Sequence, residues 1–293
     1  MADRRLCYLH IGTHKTGTTS IQAFLAANQD RLARLGVLVP EAGRPSPGSA
    51  GHHNVAWELR RDVRHDAGFG GLDDVVHELR RSDAHTACLS SEDFELLYNV
   101  PDAIPRLREA IEAAGFTPRV VVALRPQAGY CERIYAEIRK HGFPLGFDDF
   151  IDDVVRIGTF QWPAPPPVPV DYGPPFDYAA LLDRFAQAFG AGALVVRRYR
   201  ADRDDEELLR GLARLLVGHR DEAATRWVFP PRLNPTTAPV SLTAEQLRRI
   251  GTRFAPASAR LARRYGVIVP AIDEECERLA VEARQLASAT AAG

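Results

Sequence analysis

The sequence predicts a three-layer α/β fold in which a mainly parallel central sheet is flanked by helices. Three observations carry the prediction. Short apolar runs at 6–11, 37–39, Thr86–Ser90, 119–124 and 193–199 alternate with stretches whose apolar residues recur at helical spacing. The run 119–124 (Arg-Val-Val-Val-Ala-Leu) is apolar without alternation after its arginine, as in a strand buried on both faces. The first run ends in a Gly-Thr loop that opens directly into an amphipathic helix, a strand–loop–helix junction suited to anions.

That junction is the most informative stretch of the chain. Gly12 and Gly17 let the backbone approach a ligand, the helix head near Thr18 offers free N–H groups, and Lys15 adds a full positive charge. Lys15 and Lys140 are the chain's two lysines, with arginine supplying nearly all other positive charge, so a lysine in this loop is expected to serve as one. The plainer reading is an ordinary connection with a chance lysine. The order of residues opposes it. A nucleotide-triphosphatase loop places lysine directly after its second glycine, whereas Lys15 precedes Gly17 by two positions and hydroxyls fill Thr16, Thr18, Thr19 and Ser20. His-Lys-Thr-Gly-Thr-Thr at 14–19 resembles the 5′-phosphosulfate loop of bacterial sulfotransferases that use 3′-phosphoadenosine 5′-phosphosulfate (PAPS).

Composition bounds the rest. The 293 residues, 45% hydrophobic, suffice for a substantial core. They read as one domain over 1–293, with a lid or acceptor-binding insertion at 141–177 and a helical C-terminal layer at 243–293. A net charge of −1 supplies no global field for nucleic acid or an acidic membrane, so an anion must be met by a local cluster. Cys7, Cys88, Cys131 and Cys276 lack metal-ligand spacing, which predicts neither a zinc site nor a disulfide framework, and Cys7 and Cys88 read as buried thiols. No stretch approaches a membrane span, the apolar run after Arg5 is too short for a signal peptide, and the cytoplasm is the default location.

Along the chain, Ile21, Phe24, Leu25, Asn28, Leu32 and Leu35 predict one helix stopped at Gly36. The Gly/Pro/Ser-rich loop 41–51 delivers His52 and His53 to a helix through Val55, Trp57 and Leu59; the pair is either a plain loop–helix junction or the source of a base. A helix over Leu72–Arg81 leads to the strand ending in Ser90-Ser91-Glu92-Asp93. In a parallel sheet that end faces the ligand crevice, so Glu92 and Asp93 point to the edge that holds Lys15. Ser91 as N-cap with acids in the first turn is the competing account. Helices are expected over 101–114 and 128–140, with Arg125 and Arg133 bracketing the head of the second. The stretch 141–177 is the least regular, with a proline run at 163–169. A helix from Tyr178, a strand at 193–199, a helix over 204–217 and terminal helices from Thr243 complete the chain.

The resemblance extends through these motifs from Tyr8 to about Leu242. Arg125 after its strand is similar to the family's 3′-phosphate arginine, although the serine expected eight residues on is Arg133 here. Tyr178-x-x-Leu181-Leu182 followed by Val195-x-Arg197-x-Tyr199, and Arg232-x-Asn234-x-Thr236, resemble further family segments. The resemblance implies sulfuryl transfer from PAPS, leaving adenosine 3′,5′-bisphosphate (PAP), to a hydroxyl of a small molecule or glycan, with no metal. It implies that His14, Lys15, Thr16, Gly17, Thr18, Thr19 and Ser20 hold the 5′ side of the cofactor. Arg125, Arg133, Arg232 and Asn234 would hold the remainder, with Lys15 at the leaving oxygen. His53 or Glu92 would be the base, with His53 favoured and Asn54 or Glu92 orienting it. A small-molecule kinase or NTPase and a non-catalytic nucleotide-binding protein are the rivals, and an apolar strand ending in aspartate would favour the kinase. Oligomeric state is not legible.

Overall fold

The computed structural model describes residues 5–46, 48–162, 171–200, 205–231 and 241–272. The chain forms two compact units, one from residues 1–123 and 182–235, the other from 124–181 and 236–293. In order, the elements are β1 (Leu6–His10), α1 (Thr18–Ala27), α2 (Gln29–Arg34), β2 (Val37–Leu38), α3 (His53–Arg60), α4 (Leu72–Arg81), β3 (Thr86–Ser90), a 3₁₀ segment (Glu92–Asn99), α5 (Ala103–Ala113) and β4 (Thr117–Leu124). They continue with α6 (Gln127–Lys140), α7 (Phe147–Ile157), β5 (Gln161–Trp162), β6 (Asp171–Tyr172), α8 (Tyr178–Phe189), β7 (Leu194–Arg198), α9 (Asp205–Ala224) and α10 (Ala244–Tyr265).

The first unit holds a five-stranded parallel sheet in the order β2-β3-β1-β4-β7, the α/β architecture expected from the sequence. β1 lies between its two parallel partners, with Leu6 opposite both Thr86 and Thr117. The chain runs from β1 to one side for β2 and β3 and then to the other for β4, so the strand order reverses at β1. In open parallel sheets that reversal opens a crevice at the carboxyl ends of the strands. One face of the sheet is covered by a buried layer in which Ile21, Phe24 and Leu25 of α1 meet Leu209 and Leu212 of α9 and Trp227. Each such side chain stabilises the fold by about 1.5–3 kcal/mol. On α4 the buried residues Leu72, Val75, Val76 and Leu79 form one stripe, and Asp73 and Asp74 in its first turn complement the helix dipole.

The helix expected to run unbroken to Leu35 is two helices. Asn28, fully buried, turns its amide away from the α-helical pattern to bond the Phe24 carbonyl and both the carbonyl (2.8 Å) and N–H (2.9 Å) of Val228. A long-range tie between residues 200 positions apart overrides the local periodicity. α9 likewise continues past the expected end at Val217, after a break at Gly218, where φ is +82°.

In the second unit, the stretch 141–177 that the sequence leaves irregular contains α7. Phe147, Phe150, Ile151 and Val154 recur at i, i+3, i+4 and i+7, and Gly158 at φ +76° ends the helix. Phe150 lies in an aromatic cluster with Tyr135, Phe143, Phe160 and Phe176, ring centroids 5.2–6.3 Å apart. β5 and β6 pair antiparallel on either side of the proline run, which itself lies outside the described residues. α10 begins with a reciprocal cap between Thr243 and Gln246. Cys7, Cys88 and Cys131 are buried. Among the described residues no helix is long and apolar enough to cross a membrane.

Candidate active site

The loop after β1 is tied to the end of β4. Ile11 N–H donates to the Val121 carbonyl, Ala123 N–H to that of Gly12, and both the N–H and the hydroxyl of Thr13 to that of Ala123. Thr16 closes the loop through its hydroxyl, which donates to the Thr13 carbonyl at 2.6 Å. Gly12 has φ +92°, and a Cβ there would lie 3.1 Å from the Cα and Cβ of Glu92, so the 3₁₀ segment abuts the loop. Gly17, at φ +83°, is the N-cap of α1, and its missing Cβ would lie 2.6 Å from Leu208 Cδ2. Any other residue there meets both that side chain and a backbone cost of about 1–2 kcal/mol. Lys15 also holds a positive φ, at +60°, which is uncommon for a long side chain.

The first turn of α1 closes with Ile21 N–H donating to the Gly17 carbonyl. The N–H groups ahead of it form the positive end of the helix. Thr18 Oγ is buried there and has no hydrogen-bond partner among the described residues. A buried orphan hydroxyl is costly unless a ligand completes it. Ser20, expected beside Thr18 on the ligand, instead donates to Asp205 Oδ2 at 2.9 Å, and Thr19 is exposed. Leu208 and Tyr199, both against Gly17, continue into a cavity of about 380 Å³ at the carboxyl ends of β1, β4 and β7.

The two adjacent histidines have separate tasks. His52 is fully buried; its Nδ1 accepts from Ser90 N–H (3.1 Å) and its Nε2 donates to the Pro40 carbonyl (3.0 Å). Burial and the Arg44 charge push its pKa down to about 3, so it stays a neutral pin between loop and strand. His53 reaches the site. Its Nδ1 is 2.9 Å from Ser91 Oγ and 3.3 Å from Asp93 Oδ2, and its Nε2 faces Gln22 Nε2 (3.4 Å) and Glu92 Oε2 (3.9 Å). Gln22 in turn donates to Glu92 at 3.1 Å. A carboxylate on Nδ1 holds the proton there and leaves the Nε2 lone pair on the side of Gln22.

Asp93 therefore orients His53, where the sequence suggested Asn54 or Glu92. Asn54 bonds Asp66 and Gly70 instead. Asp93 is buried and also accepts from the Trp57 indole N–H at 2.8 Å. Burial alone would raise its pKa, but the hydrogen bond from His53 and the charges of His14, Arg64 and His53 hold it far below the usual carboxylate range. For His53 burial acts downward and is outweighed by the Asp93 hydrogen bond and the Glu92 and Asp93 charges, so its pKa is raised. Ser91 caps the 3₁₀ segment by accepting from Asp93 N–H, so capping and site assembly share one turn.

His14, expected among the cofactor contacts, is held from behind. One oxygen of the fully buried Glu95 accepts its backbone N–H at 3.0 Å and contacts its ring Nδ1. Arg125 follows directly on β4 and Arg133 lies in α6, both half-buried and both in the second unit. Arg232 and Asn234 lie outside the described residues. Gln22, Asp93, Glu95 and Trp57 are site residues that sequence reasoning did not assign; only the strand-end position of Asp93 pointed to the crevice.

The structure is similar to the crystal structure of a sulfotransferase from Alicyclobacillus acidocaldarius, with a TM-score of 0.50 over 91% of this chain and 97% of that chain at 15% sequence identity. The chain has a sulfotransferase-like fold. No family model matches the sequence, and no curated protein matches it. At this identity the likeness speaks for the fold alone.

Proposed function

We propose that the protein is a PAPS-dependent sulfotransferase acting on a hydroxyl acceptor. One observation carries the reading: an anion-binding loop with an unsatisfied buried hydroxyl and a histidine oriented by a buried carboxylate share the carboxyl edge of one sheet. PAPS supplies an activated sulfuryl group whose departure leaves PAP. Its 5′-phosphosulfate fits the helix-head N–H groups, Thr18 Oγ and Lys15, and the cavity beside Tyr199 and Leu208 is of a size for the nucleoside. Arg125 and Arg133 are the proposed 3′-phosphate contacts.

In the transfer, the acceptor oxygen forms the new S–O bond as the bond to the phosphate oxygen breaks. Lys15 stabilises charge on the leaving oxygen, and no covalent intermediate with the protein is needed. His53 Nε2 takes the acceptor proton, Asp93 orients the base and stabilises the resulting imidazolium through Nδ1–H, and Glu92, shared with Gln22, adds negative charge beside Nε2. The acceptor is a small molecule or glycan bearing a hydroxyl, with specificity supplied by 141–177. Incubation with PAPS and a panel of sugar, phenolic and lipid alcohols tests the assignment. PAP and sulfate ester are expected in equal amounts with at least one acceptor class, and formation of PAP without ester for every class would contradict it.

A further inference from the structure

We propose that Glu95 builds a second cation into the phosphate loop, by gripping His14 at both its backbone N–H and its ring so that a fixed imidazolium stands beside Lys15. The proposal rests on the loop being an anion site but not on the chemistry of sulfuryl transfer. Glu95 has no solvent exposure, and its Oε1 takes the His14 N–H at 3.0 Å and the ring Nδ1. The other ring nitrogen, Nε2, lies 3.8 Å from Asp93 Oδ1. One nitrogen thus contacts the Glu95 carboxylate and the other faces that of Asp93, an arrangement that favours the protonated ring. A buried carboxylate also needs a cation at hand, since removing one partner leaves the other charged and unpaired.

The consequence concerns the charge that a ligand meets. Three carboxylates, Glu92, Asp93 and Glu95, project from the 3₁₀ segment next to the loop, with His53 facing them from α3 and Lys15 adjoining His14 in the chain. Without a charge on His14 this cluster repels an anion. With it, the loop presents two cations. Burial alone would lower the His14 pKa, but the Glu95 charge and hydrogen bond, with Asp93 and Glu92 behind them, raise it to about 9. Anion affinity should therefore be full at neutral pH and fall as pH rises through that value.

Two measurements test this. The first is the titration of the His14 ring carbons by NMR in the parent, assigned with His14→Gln, and in Glu95→Gln. A parent midpoint near 9 that drops by more than a unit in Glu95→Gln is expected. The second is the binding of inorganic sulfate, whose charge is constant over the range, and of PAP, between pH 7.5 and 9.5. The parent should lose about two- to fourfold in affinity for both, the most that one group with a midpoint near 9 allows across this window. His14→Gln should be uniformly weak and flat with pH. If Glu95→Gln does not fold, Glu95→Asp, whose shorter carboxylate cannot hold both contacts, should show an intermediate midpoint. A parent midpoint at or below the ordinary ~6.5, or sulfate affinity indifferent to pH in this window, overturns the proposal. Sulfate binding that follows His14 while PAP fails to bind would uphold it and remove the nucleotide reading instead.

Discussion

Lys15→Ala is expected to lower turnover by about 10³-fold, the scale for removing one preorganised charge from a developing oxyanion. The charge on the leaving phosphate oxygen grows only as the S–O bond breaks, so the loss should fall mainly on kcat. Arginine is not an adequate replacement, because its broad fork cannot occupy the place of a compact ammonium. The positive φ of residue 15 separates this role from a structural one. Lys15→Gly relieves the backbone cost that Lys15→Ala retains, and should be more stable than the alanine variant by about 1 kcal/mol while remaining equally inactive. Thermal midpoints and single-turnover rates of the two variants check this. An active glycine variant would remove Lys15 from the chemistry.

His53→Ala is expected to lose about 10²- to 10⁴-fold in turnover with PAP binding little changed, the range for a positioned general base. In the parent, kcat/KM should rise with pH as His53 loses its proton. The midpoint should lie above the ordinary ~6.5, because Asp93 and Glu92 outweigh burial. Asp93→Asn removes the carboxylate from Nδ1, so the midpoint should move down and turnover should fall by about 10² or more as the proton is no longer held on the inner nitrogen. Glu92→Ala should be milder, since Glu92 is 3.9 Å from Nε2 and acts through Gln22. Near-parental turnover in His53→Ala with an inactive Glu92→Ala would make Glu92 the base.

The parts of the fold that are legible in the sequence are those set by local pattern. α4 and β3 fall where periodicity and apolar runs place them, and Gly36 ends the helical stretch before β2 with φ +71°. Tertiary contacts account for the departures. Asn28 splits a periodic stretch because its amide is tied to Val228, 200 positions away. α7 was hidden because the prolines that follow it suggest a loop, although Phe147, Phe150, Ile151 and Val154 carry its pattern. In the site, the loop glycines, Lys15 and the neighbourhood of His53 and Glu92 can be read from spacing. The sequence favours His53 over its neighbour, but the physical reason for separating the two is tertiary: the Ser90 backbone holds His52 while His53 lies against Asp93. Glu95 was invisible for the same reason: its partner lies 81 positions away.

Calorimetry of PAP against ATP on the parent protein tests the central claim most directly. Lys15 lies before Gly17 rather than after it, and Asp93, which follows the β3 strand, is engaged by His53 and Trp57 rather than left for a nucleotide-bound metal. PAP should bind at least about tenfold more tightly than ATP with or without magnesium, and Lys15→Ala and Arg125→Ala should each weaken it. ATP binding as tightly as PAP, or PAP affinity indifferent to both substitutions, would contradict the assignment.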